Sequence, residues 1–316
     1  MDLNARASTL VEAFLACAEE RRVRAVPIEK GGRFIDCGIQ APGGLLAGLE
    51  LARICMSGLA EVTIVPGEVG GRPCPHVQVV TDHPVFACLA SQYAGWAIDE
   101  PGFFAMGSGP MRLAAAREPI FKDLHLGPED ASCVVGVLEG RKPPTHAVIA
   151  SIATACGVPP SCVTLLAAPT ASLAGGVQIV ARAIETALHK LHTLHFDISR
   201  IISAHGVVPL PPVAKHDLAA IGRTNDAILY GARVVLYVVG DDASLIEVGS
   251  KVPSCSSTDH GEPFSAIFAR YNNDFYKVDP HLFSPAEVAF HNLETGLVHS
   301  FGRVESDVLV RSFYPS

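Results

Sequence analysis

Between Lys142 and Lys190 the chain carries only two charged side chains, Arg182 and Glu185. A stretch so long and so poor in charge has to be folded into an interior, because apolar side chains gain by leaving water. The segment 163–181 is uncharged and long enough to raise the question of a membrane span. Pro169, with Thr164, Thr170, Ser172 and Gln178, fits a spanning helix poorly, so a soluble cytoplasmic protein is expected. Within the stretch, Gly175 and Gly176 open a run of good helix formers, ASLAGGVQIVARAIETALHK. Residues three apart on a helix share a face, which predicts Arg182 and Glu185 as neighbours on one helix. Val177, Ile179, Val180, Ala181, Ala183, Ile184, Ala187 and Leu188 surround them on nearly every side, so that helix should be buried all round. Taking a carboxylate and a guanidinium out of water costs several kcal/mol per ion before pairing. The pair is therefore either a structural salt bridge that fixes the helix register or a place where a ligand meets the two charges, since ionisable groups in clefts are enriched at functional sites.

The rest of the composition narrows the classes. The chain has 316 residues, 49% of them hydrophobic and 18% charged, and 32 acidic against 24 basic side chains give a formal charge of −8. Mean hydropathy is +0.31, which excludes an intrinsically disordered chain. The acidic balance and the lack of basic runs argue against nucleic acid as a partner. The apolar surplus suits a subunit that hides surface in an oligomer. Nine cysteines, an odd number with no Cys-x-x-Cys pair, signal neither a disulfide framework nor a zinc cluster. The first 22 residues place Leu3, Ala7, Leu10, Phe14 and Cys17 at helical spacing and end in charges; that is an amphipathic surface helix, not a secretory signal.

Strand-like and helix-like segments are mixed without strict alternation, which predicts an α+β chain with mixed sheets and packed helices. The segment VRAVPIEKGGRFIDCGI alternates around Gly31-Gly32 as a hairpin does. GLLAGLELARICMSGL reads as a helix, and 62–65, 77–80 and 133–138 read as strands. Pro143-Pro144 breaks the chain before a helix starting near His146, which puts a domain boundary near 145: an N-terminal domain 1–145 and a C-terminal domain 146–316 carrying the Arg182/Glu185 helix, with discontinuous domains as an open alternative. Segments 232–239, 296–301 and 308–313 carry strand character.

Several longer motifs occur together. AAPTASLAGGVQIVARAIETALHKLH is followed by PPVAKHDLAAIGRTNDAILYG and then by VPSCSSTDHGEPFSAIFARYNNDFYKVDPHLFSPAEVAFHNLETG, with FFAMGSGPMR in the first half. In this order they strongly resemble methenyltetrahydromethanopterin cyclohydrolase, over nearly the whole chain. The resemblance implies a cytoplasmic homotrimer of two α/β-type domains around a deep cleft. It implies an enzyme of one-carbon metabolism, used in methanogenesis or formaldehyde oxidation, that adds water to the 5,10-methenyl cation and opens it to 5-formyl-tetrahydromethanopterin. No metal and no redox cofactor is implied; the pterin carrier is the substrate, and neither nucleic acid nor membrane is a partner. It also implies that the matching arginine and glutamate, Arg182 and Glu185, are catalytic.

The chemistry can be argued from the residues as well. A methenyl carbon between two nitrogens carries delocalised positive charge, so attacking water must lose a proton as it adds. A carboxylate beside it can take that proton and attract the cation. Glu185 suits this role, and Arg182 would hold the carboxylate and a water in place and keep Glu185 ionised against burial. Other candidates are substrate contacts. Ser108 and Gly109 lie in a GSGP turn whose amides could meet an anion at a helix start, or form a plain tight turn. Arg223, Thr224 and Asn225 could contact substrate or cap a helix. Ser254, Asp259 and Ser284 belong to the resembling loops, and Phe275, Tyr276 and Phe283 could stack on a pterin or sit in a core. His189, His192 and His195 do not form a metal motif, and no GxSxG elbow or cysteine signature points to a nucleophilic hydrolase. A catalytically inactive pterin-binding or oligomeric scaffold is the alternative reading.

Overall fold

The structure, a computed structural model, describes residues 1–29, 31–272 and 274–315; the side chain of Tyr276 also lies outside the described residues. The chain is α+β and forms two compact units, Met1–Ala60 with Phe86–Gln178 and Glu61–Val85 with Ile179–Ser316.

The first unit contains strands β1 (Arg24–Pro27), β2 (Arg33–Asp36), β7 (Trp96–Glu100), β8 (Phe103–Ser108), β9 (Val134–Glu139) and β10 (Val163–Ala168), with helices α1 (Leu3–Ala16), α2 (Ala18–Arg21), α3 (Leu45–Cys55), α4 (Met111–Ala115), α5 (Pro119–Asp123), α6 (His146–Cys156) and the start of α7 (Leu173–Val180). Its sheet runs β1-β2-β10-β9-β8-β7. β10 pairs parallel with both β2 and β9, and the other neighbours are antiparallel. The central strands read VVGVLE and VTLLAA, nearly continuous apolar runs, because they are covered on both faces. On one face Phe34, Val134, Leu138 and Leu165 pack with Val148, Ile149 and Ile152 of α6. On the other, Ile35, Val135, Val137 and Leu166 pack with Ala7, Val11 and Phe14 of α1 and with Leu51 and Ile54 of α3. The β1–β2 hairpin forms where the alternation predicts it, with Gly31 and Gly32 at φ +109° and +91°, a region that glycine enters without a Cβ clash.

The second unit contains β3 (Glu61–Val65), β4 (Glu68–Val69), β5 (Arg72–Pro73), β6 (His76–Thr81), β11 (Ile201–Pro209), β12 (Arg233–Val238), β13 (Glu287–Asn292) and β14 (Val298–Gly302), with α8 (Ala183–Thr193), α9 (Asp217–Gly231), α10 (Asp242–Gly249), α11 (Phe264–Arg270) and α12 (Ser306–Phe313). The sheet order is β14-β13-β12-β11-β6-β3, and β4 and β5 make a separate ribbon. Only β12 and β13 pair in parallel among these strands. α8 packs on β11 and β12, and a Cβ on Gly206 of β11 would stand 3.0 Å from Cγ1 of Ile184. The missing side chain at Gly206 lets the helix approach the sheet closely.

Two expectations are corrected. The division does not fall at residue 145: β10 joins β2 and β9 in the first sheet, while β3 and β6 join β11 in the second. Long-range pairing therefore interleaves the two units along the chain. The segment 308–313 is helical, not a strand; Val308, Leu309 and Phe313 form the buried face of α12 against α9, and packing overrides β propensity. The uncharged stretch 163–181 is divided between β10 and α7. Among the described residues, no helix is long and apolar enough to cross a membrane.

α9 is tied to α11 by a buried carboxylate. Asp226, 1% exposed, accepts a hydrogen bond from the Phe264 amide at 2.7 Å. Burial pushes its carboxyl up to about 7, against the opposing pull of the Ser312 hydroxyl, the Phe264 amide and the Arg311 charge. A carboxyl whose pKa is raised on folding adds stability below its unfolded value of 3.8 and loses it as pH rises toward about 7. Asp226→Asn keeps the acceptor and removes the titration. Urea unfolding at a series of pH values should show the variant gaining on the parent from pH 4 to 7 and holding that gain above. A variant less stable than the parent at pH 8 would contradict this.

Candidate functional site

The Arg182/Glu185 segment is not one helix. α7 begins at Leu173, where Ser172 Oγ accepts from the Gly175 amide at 3.0 Å, and it ends at Val180. Arg182 then occupies the N-cap of α8 at φ −92° and ψ 5°, its amide donating to Ile179 O at 3.1 Å. The expected single helix is thus broken by a tightened turn at 181–182. The break separates the α7 residues packed beside Gly48 of α3 from the helix lying on β11. Glu185 falls in the first turn of α8, where the exposed amides of a helix start favour negative charge. Burial all round is as the pattern predicts: Arg182 is 7% and Glu185 5% exposed.

Sequence reasoning missed Lys190. A lysine near the end of a helix reads as a solvated charge, yet Lys190 is 2% exposed. Its Nζ donates to His281 O at 2.7 Å and to Ser256 Oγ at 3.4 Å. Burial lowers its pKa to about 8, with Asp279 pulling the other way. Lys190 is therefore the pin that joins α8 to two loops holding several of the predicted residues. In the first loop, Ser254 is fully buried and its hydroxyl donates to Leu229 O. Asp259 is cross-braced: Tyr271 Oη donates to its two oxygens at 3.0 and 3.1 Å, and the Asp279 amide donates to Oδ2 at 3.0 Å. Ser257 Oγ donates to Asp279 Oδ2 at 2.6 Å. Although burial opposes it, the Ser257 hydroxyl and the His281 amide hold the Asp279 carboxyl below its ordinary range.

In the second loop, Phe275 stacks on Phe283 with centroids 5.0 Å apart and planes 16° apart, and both meet Phe264. Phe275 stays 40% exposed. Ser284 is fully buried, its hydroxyl without a hydrogen-bond partner among the described residues. Tyr276 was named for stacking, but its side chain lies outside the described residues.

The GRTND residues lie inside α9, not at its start, which His216 caps by accepting from the Ala219 amide. Thr224 Oγ1 donates back to Ala220 O at 2.9 Å, Asn225 Nδ2 to Ile221 O at 2.8 Å, and Arg223 Nη1 to Pro212 O at 3.0 Å. These bonds are local, so the capping explanation is replaced by helix back-bonding and a loop brace. Ser108 and Gly109 belong to the first unit. Ser108 Oγ donates to Val137 O at 3.0 Å and meets Cys55 Sγ at 3.3 Å. The Gly109 amide, at φ +90°, donates to Ser91 O at 2.8 Å, and Pro110 has no amide proton. The Gly109 amide is thus already bonded, and Pro110 has none to offer. His195 lies beyond the end of α8 at φ +60°, so the three histidines do not line one helix.

What the arrangement can do is set by the start of α8: a carboxylate and a guanidinium at a helix N-terminus, largely removed from water. Such a carboxylate can face a cation or take a proton from water, and the low local dielectric strengthens both. A model of the cyclohydrolase (MCH) family matches residues 2–313. The chain belongs to this family. It is 48% identical to a methenyltetrahydromethanopterin cyclohydrolase of Rhodopirellula baltica over 92% of the chain and 89% of that protein. It is 46% identical to the protein of that name from Methylobacterium sp. strain 4-46, over 98% and 97%. It is 39% identical to that of Methanosarcina mazei, over 99% and 98%. The resemblance seen in the motifs is that of the whole chain.

The cyclohydrolase-family helix α8 should depend on its pin. Lys190→Ala removes the charged donor to His281 O, a hydrogen bond of a kind worth about 1.5–3 kcal/mol. Urea unfolding should show a lowered midpoint with an unchanged slope.

Proposed function

We propose that the chain interconverts 5,10-methenyl-tetrahydromethanopterin plus water with the 5-formyl compound. The observation that carries the reading is the buried pair Arg182 and Glu185 at the start of α8, in a chain whose full-length relatives bear that enzyme's name. In the forward direction the water oxygen bonds to the methenyl carbon, and the water proton passes to Glu185. The bond from that carbon to the second nitrogen then breaks, that nitrogen takes one proton, and the hydroxyl gives up the second water proton as the formyl C=O forms, so one proton is released in all. The positive substrate supplies the electrophile, so the protein has only to place the base and the water. Arg182 orients the carboxylate and the water, and the loops pinned by Lys190 offer Phe275 as a stacking surface. No metal or redox group takes part in this scheme, and the enzyme acts in the cytoplasm.

Glu185→Gln keeps size and most hydrogen bonding but removes base and charge. Turnover, followed by the ultraviolet change between methenyl and formyl carriers, should fall by at least about 10²-fold, the usual loss for a general base, with the fold intact because an amide is easier to bury than a carboxylate. Arg182→Leu should instead lower stability by about 3–5 kcal/mol, since it strands a buried carboxylate. Near-normal rates in Glu185→Gln with a much lower melting temperature would make the pair a structural salt bridge. Carrier binding without turnover by the parent chain would favour the scaffold reading, and preference for the methenyl-tetrahydrofolate analogue would overturn the substrate.

The same reading includes a homotrimer. Val80 on β6, Ile202 on β11 and Val298 on β14 are all exposed on the second sheet, where a partner subunit could cover them. Light scattering at micromolar concentration should return three times the 33.3 kDa chain mass; a stable monomer would count against the assembly.

A further inference from the structure

Two cysteines outside the candidate site stand side by side. Cys133 immediately precedes β9 and Cys162 immediately precedes β10, and the parallel register of these strands begins at Val134↔Val163. Extending that register by one residue aligns the two cysteines. Neighbouring strands lie about 4.8 Å apart, within the roughly 4.4–6.8 Å Cα separation that a disulfide spans. Cys162 closes the short 3-10 turn Pro160–Cys162 that leads into β10, so the two cysteines stand at the same end of adjacent strands. Both thiols are free, and Cys133 is exposed and Cys162 partly so. Arg33 lies close enough to favour a thiolate at Cys133; it sits on β2, paired with Thr164 two residues beyond Cys162.

We propose that Cys133 and Cys162 are a redox-modification site, a thiol pair that low-molecular-weight disulfides of the glutathione type convert to an intramolecular disulfide. One thiolate attacks the small disulfide, its S–S bond breaks, and one small thiol leaves with a proton. The second protein thiolate then attacks the protein sulfur of the mixed disulfide and expels the second small thiol. The protein loses two electrons and two protons, and the small disulfide gains them. Burial, followed by the neighbouring Cys162 thiol, raises the Cys133 pKa despite Arg33, so the exchange should quicken as pH rises from 7 to 9.

The test treats the full chain with oxidised glutathione, blocks remaining thiols and maps unreduced peptides by mass spectrometry. The expected result is a Cys133–Cys162 cross-link with little glutathione retained at either residue, while the exposed Cys255 keeps a mixed disulfide. In Cys133→Ser the cross-link is lost and the glutathione adduct at Cys162 should rise at least about tenfold, because the resolving thiol is gone. Equal adduct levels at Cys162 in parent and variant, or linkage of either cysteine to a different partner, would overturn the proposal. None of these readouts depends on cyclohydrolase activity.

Discussion

The close seating of α8 on β11 and β12 governs the chemistry of the second unit. Gly206 contributes no side chain, so Ile184 comes down to the strand, and Glu185 is the next residue along. Turning the helix would drive Ile184 off the sheet and carry the carboxylate with it. Arg182 at its N-cap and Glu185 and Lys190 within it are each almost fully buried. Burying three ionisable groups costs several kcal/mol apiece before compensation, so the helix is tolerable only if each charge finds a fixed partner or field. The helix itself supplies part of this: Glu185 sits in its first turn and Lys190 in its last, the arrangement that the peptide dipoles favour at both ends.

That constraint extends outward through Lys190. Because its ammonium is bonded to His281 O and Ser256 Oγ, the loop 254–259 and the turn at 279–284 have a common anchor. The Ser257 hydroxyl donating to Asp279 Oδ2 and the Asp279 amide donating to Asp259 Oδ2 then lock those segments to each other. Two carboxylates can lie this close because hydroxyl and amide donors satisfy them, with Arg270 Nη1 3.7 Å from Asp259. The result is a pair of irregular segments held as firmly as regular structure, which is what precise placement of a ligand-facing side chain requires.

The elements with strong local patterns were legible: the amphipathic α1, the glycine hairpin, the apolar strand β9, and the buried run around Arg182 and Glu185. So was the family, because several loop motifs occur in one order. The bounds of the interleaved units were not, since β10 with β2 and β6 with β11 are pairings between distant segments that no local period encodes. The break at 181–182 was hidden because every residue there is a good helix former, and packing on two different partners splits the run. Helix α12 was hidden for the converse reason, its valines favouring a strand until α9 offers a groove for Val308, Leu309 and Phe313. Lys190 and Asp226 are the instructive losses. A single charge in a sequence reads as surface, and only the fold shows which ones have been enclosed.

The phenylalanines illustrate how the structure refines a motif without deciding its role. Phe264, Phe268, Phe275 and Phe283 form one aromatic cluster with centroids 5.0–5.8 Å apart, so the core explanation for these rings holds for most of their surface. A planar ligand needs an open ring face. One face of Phe283 is taken by Phe275, stacked within 16° of parallel, whereas Phe275 remains 40% exposed. Of the two rings, Phe275 is therefore the one that can offer a face without repacking the cluster. Phe283 acts from beneath, fixing the plane of Phe275 through an offset stack worth about 0.5–1.5 kcal/mol beyond burial. A platform whose orientation is set in advance loses less freedom on binding than a mobile ring would, so under the proposed function a planar ligand would stack on Phe275 at a lower cost than on Phe283.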